Sequence, residues 1–165
     1  MDMKPADMNE RLSARVEHYL PLTYNCAQSS FGALRDIFGF ADGGIFKALT
    51  PFPGLGRGET CGAVTGCVMA LGLLFGNAEQ DLVEGRASPA AAECTKEFCD
   101  RFEEQHSSLR CREILEHALG SGVAPDDPVK AAEWTSRLER SCTGLVHEAV
   151  RTAAGLIVDR ETRGG

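Results

Sequence analysis

The stretch Pro53–Gly76, PGLGRGETCGAVTGCVMALGLLFG, constrains the fold more than any other part of the chain. Gly54, Gly56 and Gly58 lead into an apolar run that carries Val64, Val68, Met69, Leu71 and Leu73. Alternate glycines admit positive φ and let a backbone approach a neighbour closely. The run behind them predicts a central helix from about Glu59 to Phe75. A helix start presents unpaired N–H groups and a partial positive charge. Cys61 falls in that first turn, where a thiol is expected to shift toward the thiolate. The loop therefore predicts an anion-stabilising wall with a sulfur at its lip. Gly62, Gly66 and Gly72 are costly inside a helix. They imply the close approach of another helix or of a cofactor.

The rest of the chain reads as helices around this one. Asp7 is a cap for a first helix over Met8–Leu20, with Leu12, Val16 and Tyr19 on one face and Pro21 as its stop. Asn25 caps a second helix to about Phe38, with Cys26 in its first turn. Gly39–Gly58 reads as a packed irregular loop with a helical turn near Ile45–Leu49. Ser88 and Pro89 start a helix that reaches about His106. Leu109–Leu119 is a further helix, closed by Gly120. Lys130–Leu138 is a short one anchored by Trp134. The last helix starts near Ser136 or Ser141 and runs to Asp159, with Cys142 at or near its start and Leu145, Ala149, Ala153 and Leu156 inward. Arg160–Gly165 reads as a frayed tail. No run alternates apolar and polar residues as a strand would. The expectation is a single all-α domain over residues 1–165, a compact bundle of about five to seven helices.

Charge and leader segments narrow the function. A net charge of −7 with no basic stripe argues against nucleic acid or an anionic membrane as partner. The longest apolar run, Cys67–Phe75, is too short for membrane insertion. Met1–Tyr19 lacks the apolar core of a signal peptide, so a cytoplasmic protein is expected. There the seven cysteines would mostly be reduced, which points to metal binding or redox chemistry, with burial as small core residues the alternative for each.

Placement separates the cysteines. Cys26, Cys61, Cys111 and Cys142 each fall at or near the start of a different predicted helix, where thiolates are favoured. Four thiolates are a usual ligand set for zinc or an iron–sulfur cluster. Cys67, Cys94 and Cys99 read as packing residues. No CxxC pair occurs, which counts against a zinc ribbon, a bacterial-type ferredoxin and a thioredoxin-like dithiol. The glycine loop lacks the preceding strand and the Lys-Ser/Thr of a phosphate-binding loop. His18, His106, His117 and His147 show no ligand spacing and are expected at the surface. Tyr24 and Gln28 flank Cys26, the first expected to pack and the second to be exposed.

Asn25-Cys26-Ala27-Gln28, the stretch Gly56–Gly66 with its Cys61-Gly62-Ala63 core, and the single downstream cysteines Cys111 and Cys142 resemble the C_GCAxxG_C_C family. Its members are small bacterial and archaeal proteins described as redox-active. The resemblance matches Cys26, Cys61, Cys111 and Cys142 to the family's four cysteines. A related region is fused to haem domains in split-Soret cytochrome c, where it is associated with an iron–sulfur centre. That resemblance implies a cluster rather than zinc, and a helical domain able to pair as a homodimer. The chain has no CxxCH for haem of its own, so a haem partner would be a separate chain.

Three functions follow. In the first, an electron carrier rather than a stand-alone enzyme holds an iron–sulfur cluster on Cys26, Cys61, Cys111 and Cys142. Backbone N–H groups from Gly58 to Ala63 then donate to sulfur, Gly62 and Gly66 leave room for the inorganic core, and a redox partner protein exchanges electrons. In the second, a thiol–disulfide or peroxide oxidoreductase uses Cys61 as nucleophile with Cys26 or Cys142 as resolving thiol. In the third, the domain is a zinc-stabilised or metal-free interaction module.

Overall fold

The computed structural model describes residues 5–54, 59–121 and 124–164, and the side chains among them except those of 5, 163 and 164. Gly56 and Gly58 of the predicted loop lie outside the described residues. The described residues form eight helices: α1 (Pro5–Thr23), α2 (Cys26–Phe38), α3 (Ile45–Ala48), α4 (Gly62–Phe75), α5 (Glu79–Val83), α6 (Ala90–His106), α7 (Cys111–Leu119) and α8 (Pro128–Gly164). There is no sheet among them, only one isolated antiparallel bridge between Thr60 and Arg110. The all-helical expectation therefore holds, with a helix more than the upper end of the predicted number.

Several boundaries differ for physical reasons. α1 runs through Pro21 to Thr23. A proline so close to the helix end disturbs only the last turn, and Tyr24 closes that turn by donating from its N–H to Leu20 O at 2.9 Å. Asp7 is a first-turn residue rather than the cap. α5 has no counterpart among the predicted helices. It is too short for a periodic signal and is set by Asp81, which accepts from the Ala78 N–H at 3.0 Å. The two predicted C-terminal helices are one, α8. The Ser141–Gly144 stretch contains no proline, and the Thr143 hydroxyl is satisfied within the helix by Glu139 O at 2.7 Å. The expected tail at 160–165 is helical as far as Gly164, and Arg160 reaches Glu93 of α6 at 3.6 Å.

The core is built where helical spacing put apolar residues. Leu12 and Val16 of α1 meet Phe31 and Leu34 of α2, Leu71 of α4, Phe98 and Phe102 of α6, and Val146, Val150 and Ile157 of α8, all buried. α2 packs most extensively against α4 and α1, while α8 runs along α1, α2, α4, α6 and α7. No helix is long and apolar enough to cross a membrane among the described residues.

The α2–α4 crossing depends on glycine. A Cβ on Gly66 would stand 2.2 Å from Ala27 O and 2.9 Å from Ser30 Cβ, so the close approach predicted there is that of a helix. Gly72 faces open space. Gly66→Ala is therefore expected to destabilise by about 1–3 kcal/mol through forced backbone displacement. Gly72→Ala is expected to be neutral or to stabilise by up to about 1 kcal/mol through helix propensity. Urea midpoints of the two variants against the parent check this, and equal midpoints for the two would contradict it.

Candidate metal centre

Cys26 is set by its neighbour Asn25. The Asn25 side-chain oxygen accepts from the N–H groups of Ala27 at 3.0 Å and Gln28 at 3.1 Å, which caps α2. Its amide nitrogen donates to Thr50 O at 2.9 Å and Leu49 O at 3.3 Å, so one buried side chain fixes both the helix start and the loop beyond α3. Arg35 reinforces that loop through Asp42 at 2.7 Å and by lying over the Phe46 ring at 5.1 Å. Gln28, expected to be exposed, instead donates to Phe46 O at 3.0 Å. Tyr24, expected to pack, is 82% exposed, because its positive φ of 50° turns the chain from α1 into α2.

Cys61 and Cys111 are joined by backbone. The Cys61 N–H donates to Leu109 O at 2.8 Å, and the Cys111 N–H donates to Glu59 O at 2.7 Å. These two bonds flank the Thr60–Arg110 bridge. Side chains alternate along extended backbone, so Cys61 and Cys111 lie on one side of the bridge as a diagonal pair. Cys61 is the cap residue of α4 and Cys111 the first residue of α7. Both positions match the helix-start prediction. A single bridge is too short for any alternating pattern, so this tie was not legible in the sequence.

Cys142 departs from expectation. It sits in the interior of α8 and owes nothing to a helix start. The packing of α8 against α2 and α7 brings it to the others. Cys142 is the strongest electrostatic partner of Cys26, which also feels the charges of Cys61 and Cys111. Cys61 feels Cys111 and Cys142. The four family cysteines are thus electrostatic neighbours, drawn from four distant segments. Among the described residues, no three or more His, Cys, Asp or Glu side chains are gathered as tightly as a single bound metal ion requires.

Two glycines line the thiols. A Cβ on Gly54 would stand 3.1 Å from Cys111 Cβ and 3.2 Å from its Sγ, and the φ of +55° there also favours glycine. A Cβ on Gly62 would meet Ala27 N at 3.0 Å, and Cys26 Cβ and Phe52 O at 3.1 Å. Gly54 was visible in the glycine loop, but nothing in the sequence tied it to Cys111. Gly58 lies outside the described residues.

Electrostatics reverse one expectation. The Ala63 and Val64 N–H groups are directed at the Cys61 sulfur and favour its negative form, although it makes no close cap bond. Burial outweighs them and, with the charges of Cys111 and Cys142, pushes the Cys61 thiol up to about 12. Helix-start donors alone do not make a thiolate in a site closed to water. The hydrogen bond to Cys142, followed by burial, holds Cys26 well above the ordinary thiol range. The same bond lowers Cys142 against the effect of burial. Burial raises Cys111, with Cys142 adding to it.

The remaining candidates lie outside this group. Cys67 and Cys94 are in the core and Cys99 packs against it. Cys67 lies beside Ser30, whose hydroxyl donates to Cys26 O at 2.8 Å, and so backs the site without lining it. His18 and His117 are exposed as expected. His106 and His147 are half-buried, with His106 Nε2 3.0 Å from Glu148. A cleft of about 620 Å³ runs along Val68, Met69, Gly72, Leu73, Ala91 and Lys96 and includes no cysteine.

Fold and site together define a helical domain in which four thiols from distant segments influence one another electrostatically. The profile of the family described as "Putative redox-active protein (C_GCAxxG_C_C)" matches residues 24–156, and the chain belongs to this family. No curated protein and no solved structure matches the chain.

Thiol reactivity in metal-free protein should follow these environments. Near pH 8, Cys142 is expected to be alkylated by iodoacetamide well before Cys61. Cys61 should stay largely unreacted until the pH approaches 12, because the thiolate is the reacting form and its fraction rises only as pH nears the pKa. Peptide mapping of a timed alkylation checks the order, and early labelling of Cys61 would contradict it.

Proposed function

We propose that Cys26, Cys61, Cys111 and Cys142 are the four thiolate ligands of an iron–sulfur cluster, and that the protein carries electrons to or from a separate redox partner. The observation that carries this reading is that these four thiols, from α2, the start of α4, α7 and the interior of α8, feel one another's charge although they come from distant segments. The family's redox-active description agrees with it. The thiol donor set suits such a cluster, and a Cβ at either flanking glycine would crowd it. Gly54 and Gly62 leave backbone without side chains beside Cys111 and Cys26. A cluster supplies one-electron transfer at a potential set by its hydrogen bonds and burial.

The protein's own residues hold and tune the site. The thiols of Cys61 and Cys111 are raised by burial and by neighbouring sulfur charges, and that of Cys26 first by Cys142 and then by burial. A cationic centre offsets both and makes the deprotonated ligands favourable. The Ala63 and Val64 N–H groups stabilise charge on the Cys61 sulfur. Gly62 keeps α4 close to Cys26, and Gly66 fixes the helix crossing. The sequence has no CxxCH for covalent haem attachment, and the reading assigns the exchange of electrons to a separate protein.

Iron, zinc and acid-labile sulfide measured on anaerobically purified protein, with a visible spectrum, test the reading. Iron and sulfide in near-equal amounts with a broad charge-transfer band are expected. Serine in place of any of the four cysteines should remove most of both, while Cys94→Ser should retain them. Zinc in place of iron, or no metal, would overturn it.

A further inference from the structure

The connection between α4 and α6 stands off the body of the molecule as an ordered tip. Asn77 and Ser88 close its base: Asn77 Nδ2 donates to Ser88 O at 3.0 Å, and the Ser88 N–H donates to Asn77 Oδ1 at 2.6 Å. Between them, Asp81 accepts from the Ala78 N–H at 3.0 Å and the Arg86 N–H donates to Asp81 O at 2.8 Å. The Arg86 guanidinium pairs with Asp81 and Glu84. The excursion is thus held in shape by its own bonds, and α5 within it leaves Leu82 58% and Val83 80% exposed. An element ordered in advance loses little freedom when it docks. Next to it lies the cleft of about 620 Å³, walled by Met69, Gly72 and Leu73 of α4 and by Ala91, Ala92 and Lys96 of α6. Residues 69–83 therefore hold four of the seven large apolar side chains exposed among the described residues, which makes this the main uncovered apolar face. α4 carries no charged side chain, and a helix apolar all round belongs inside a packed structure. Glycine inside a helix is costly. The approach of α2 accounts for Gly66, whereas no neighbour in the chain accounts for Gly72, where a Cβ would meet nothing within 4 Å.

We infer that two copies of the chain pair through this face, the Leu82–Val83 tip of each seating in the α4–α6 cleft of the other. Both halves of the contact are present on one chain, and that chain covers neither. Their charges match: the excursion carries Glu79, Asp81 and Glu84 against Arg86, whereas the charged residue among the described lining of the cleft is Lys96. Because α5 joins the two helices that wall the cleft, tip and cleft adjoin. A two-fold axis then makes the contact twice and closes the pair with no cleft left open. One tip in one cleft is a small contact, and its duplication brings the area toward the roughly 1,200 Å² of a specific interface. That duplication favours a second copy over an unrelated protein. The pairing does not rest on the cluster reading.

Sedimentation equilibrium of the full chain, kept in dithiothreitol so that no disulfide joins two copies, tests the pairing. The expected mass at micromolar concentration is twice the 17.7 kDa of one chain. Val83→Glu puts a charge on the tip. Gly72→Phe fills the cleft at a position where the chain's own atoms leave open space. Each variant should keep the helical circular dichroism of the parent and raise the dissociation constant by about thirtyfold or more, as loss of an interface hot spot does. Leu82→Ser, a milder change at the tip, should weaken the pair in the same direction. An equimolar mixture of the Val83→Glu and Gly72→Phe chains should regain part of the dimer mass, because the intact tip of the second still fits the open cleft of the first. A monomeric parent would overturn the inference and leave the face to a different protein. A dimer that none of the variants weakens would overturn it as well. So would two weakened variants that recover nothing on mixing, since tip and cleft would then not meet.

Discussion

The close crossing of α2 and α4 is the constraint on which the site depends. Two glycines a turn apart, Gly62 and Gly66, let the α4 backbone lie against Ala27, leaving no room for a β-carbon at Gly66. Cys26 begins one of these helices and Cys61 caps the other. The same approach that packs the core therefore sets two thiols beside each other. Asn25 then ties the start of α2 to the loop at Leu49–Thr50, and the Thr60–Arg110 bridge brings in Cys111. Cys142 arrives last in sequence, on the long helix that packs across the rest.

Burial and charge pull this cluster in opposite directions. Four thiols in a partly closed site resist losing their protons, because each negative sulfur is costly away from water and repels the next. The helix-start N–H groups at Cys61 reduce that cost but do not cancel it. A positive centre bound by all four removes the conflict. A group of thiols that resists forming thiolates on its own suits the metal-held role proposed for it.

Much of the fold was legible because helical periodicity and caps are local. Asn25, Ser88 with Pro89, and Gly120 mark boundaries that the structure keeps to within a residue or two. The motif cysteines were separable from Cys67, Cys94 and Cys99 because three of the four stand at helix starts. What stayed hidden is non-local. The one-residue bridge leaves no pattern in sequence. Gly54 meets Cys111 only through the loop's path, and Gln28 finds Phe46 O across the same loop. Cys142 was misplaced to a helix start because Ser141–Gly144 resembles a break, while the backbone there has no reason to stop. The acidity expected of Cys61 failed because burial is a property of the packed molecule and cannot be read from the first turn of a helix.

The most direct measurement is iron K-edge X-ray absorption on anaerobically isolated protein. The account predicts iron surrounded by sulfur alone, with a second iron as near neighbour. Both features should be lost together in Cys26→Ser and in Cys142→Ser. Iron bound through nitrogen or oxygen, or iron with no iron neighbour, would contradict a cluster held by these four cysteines.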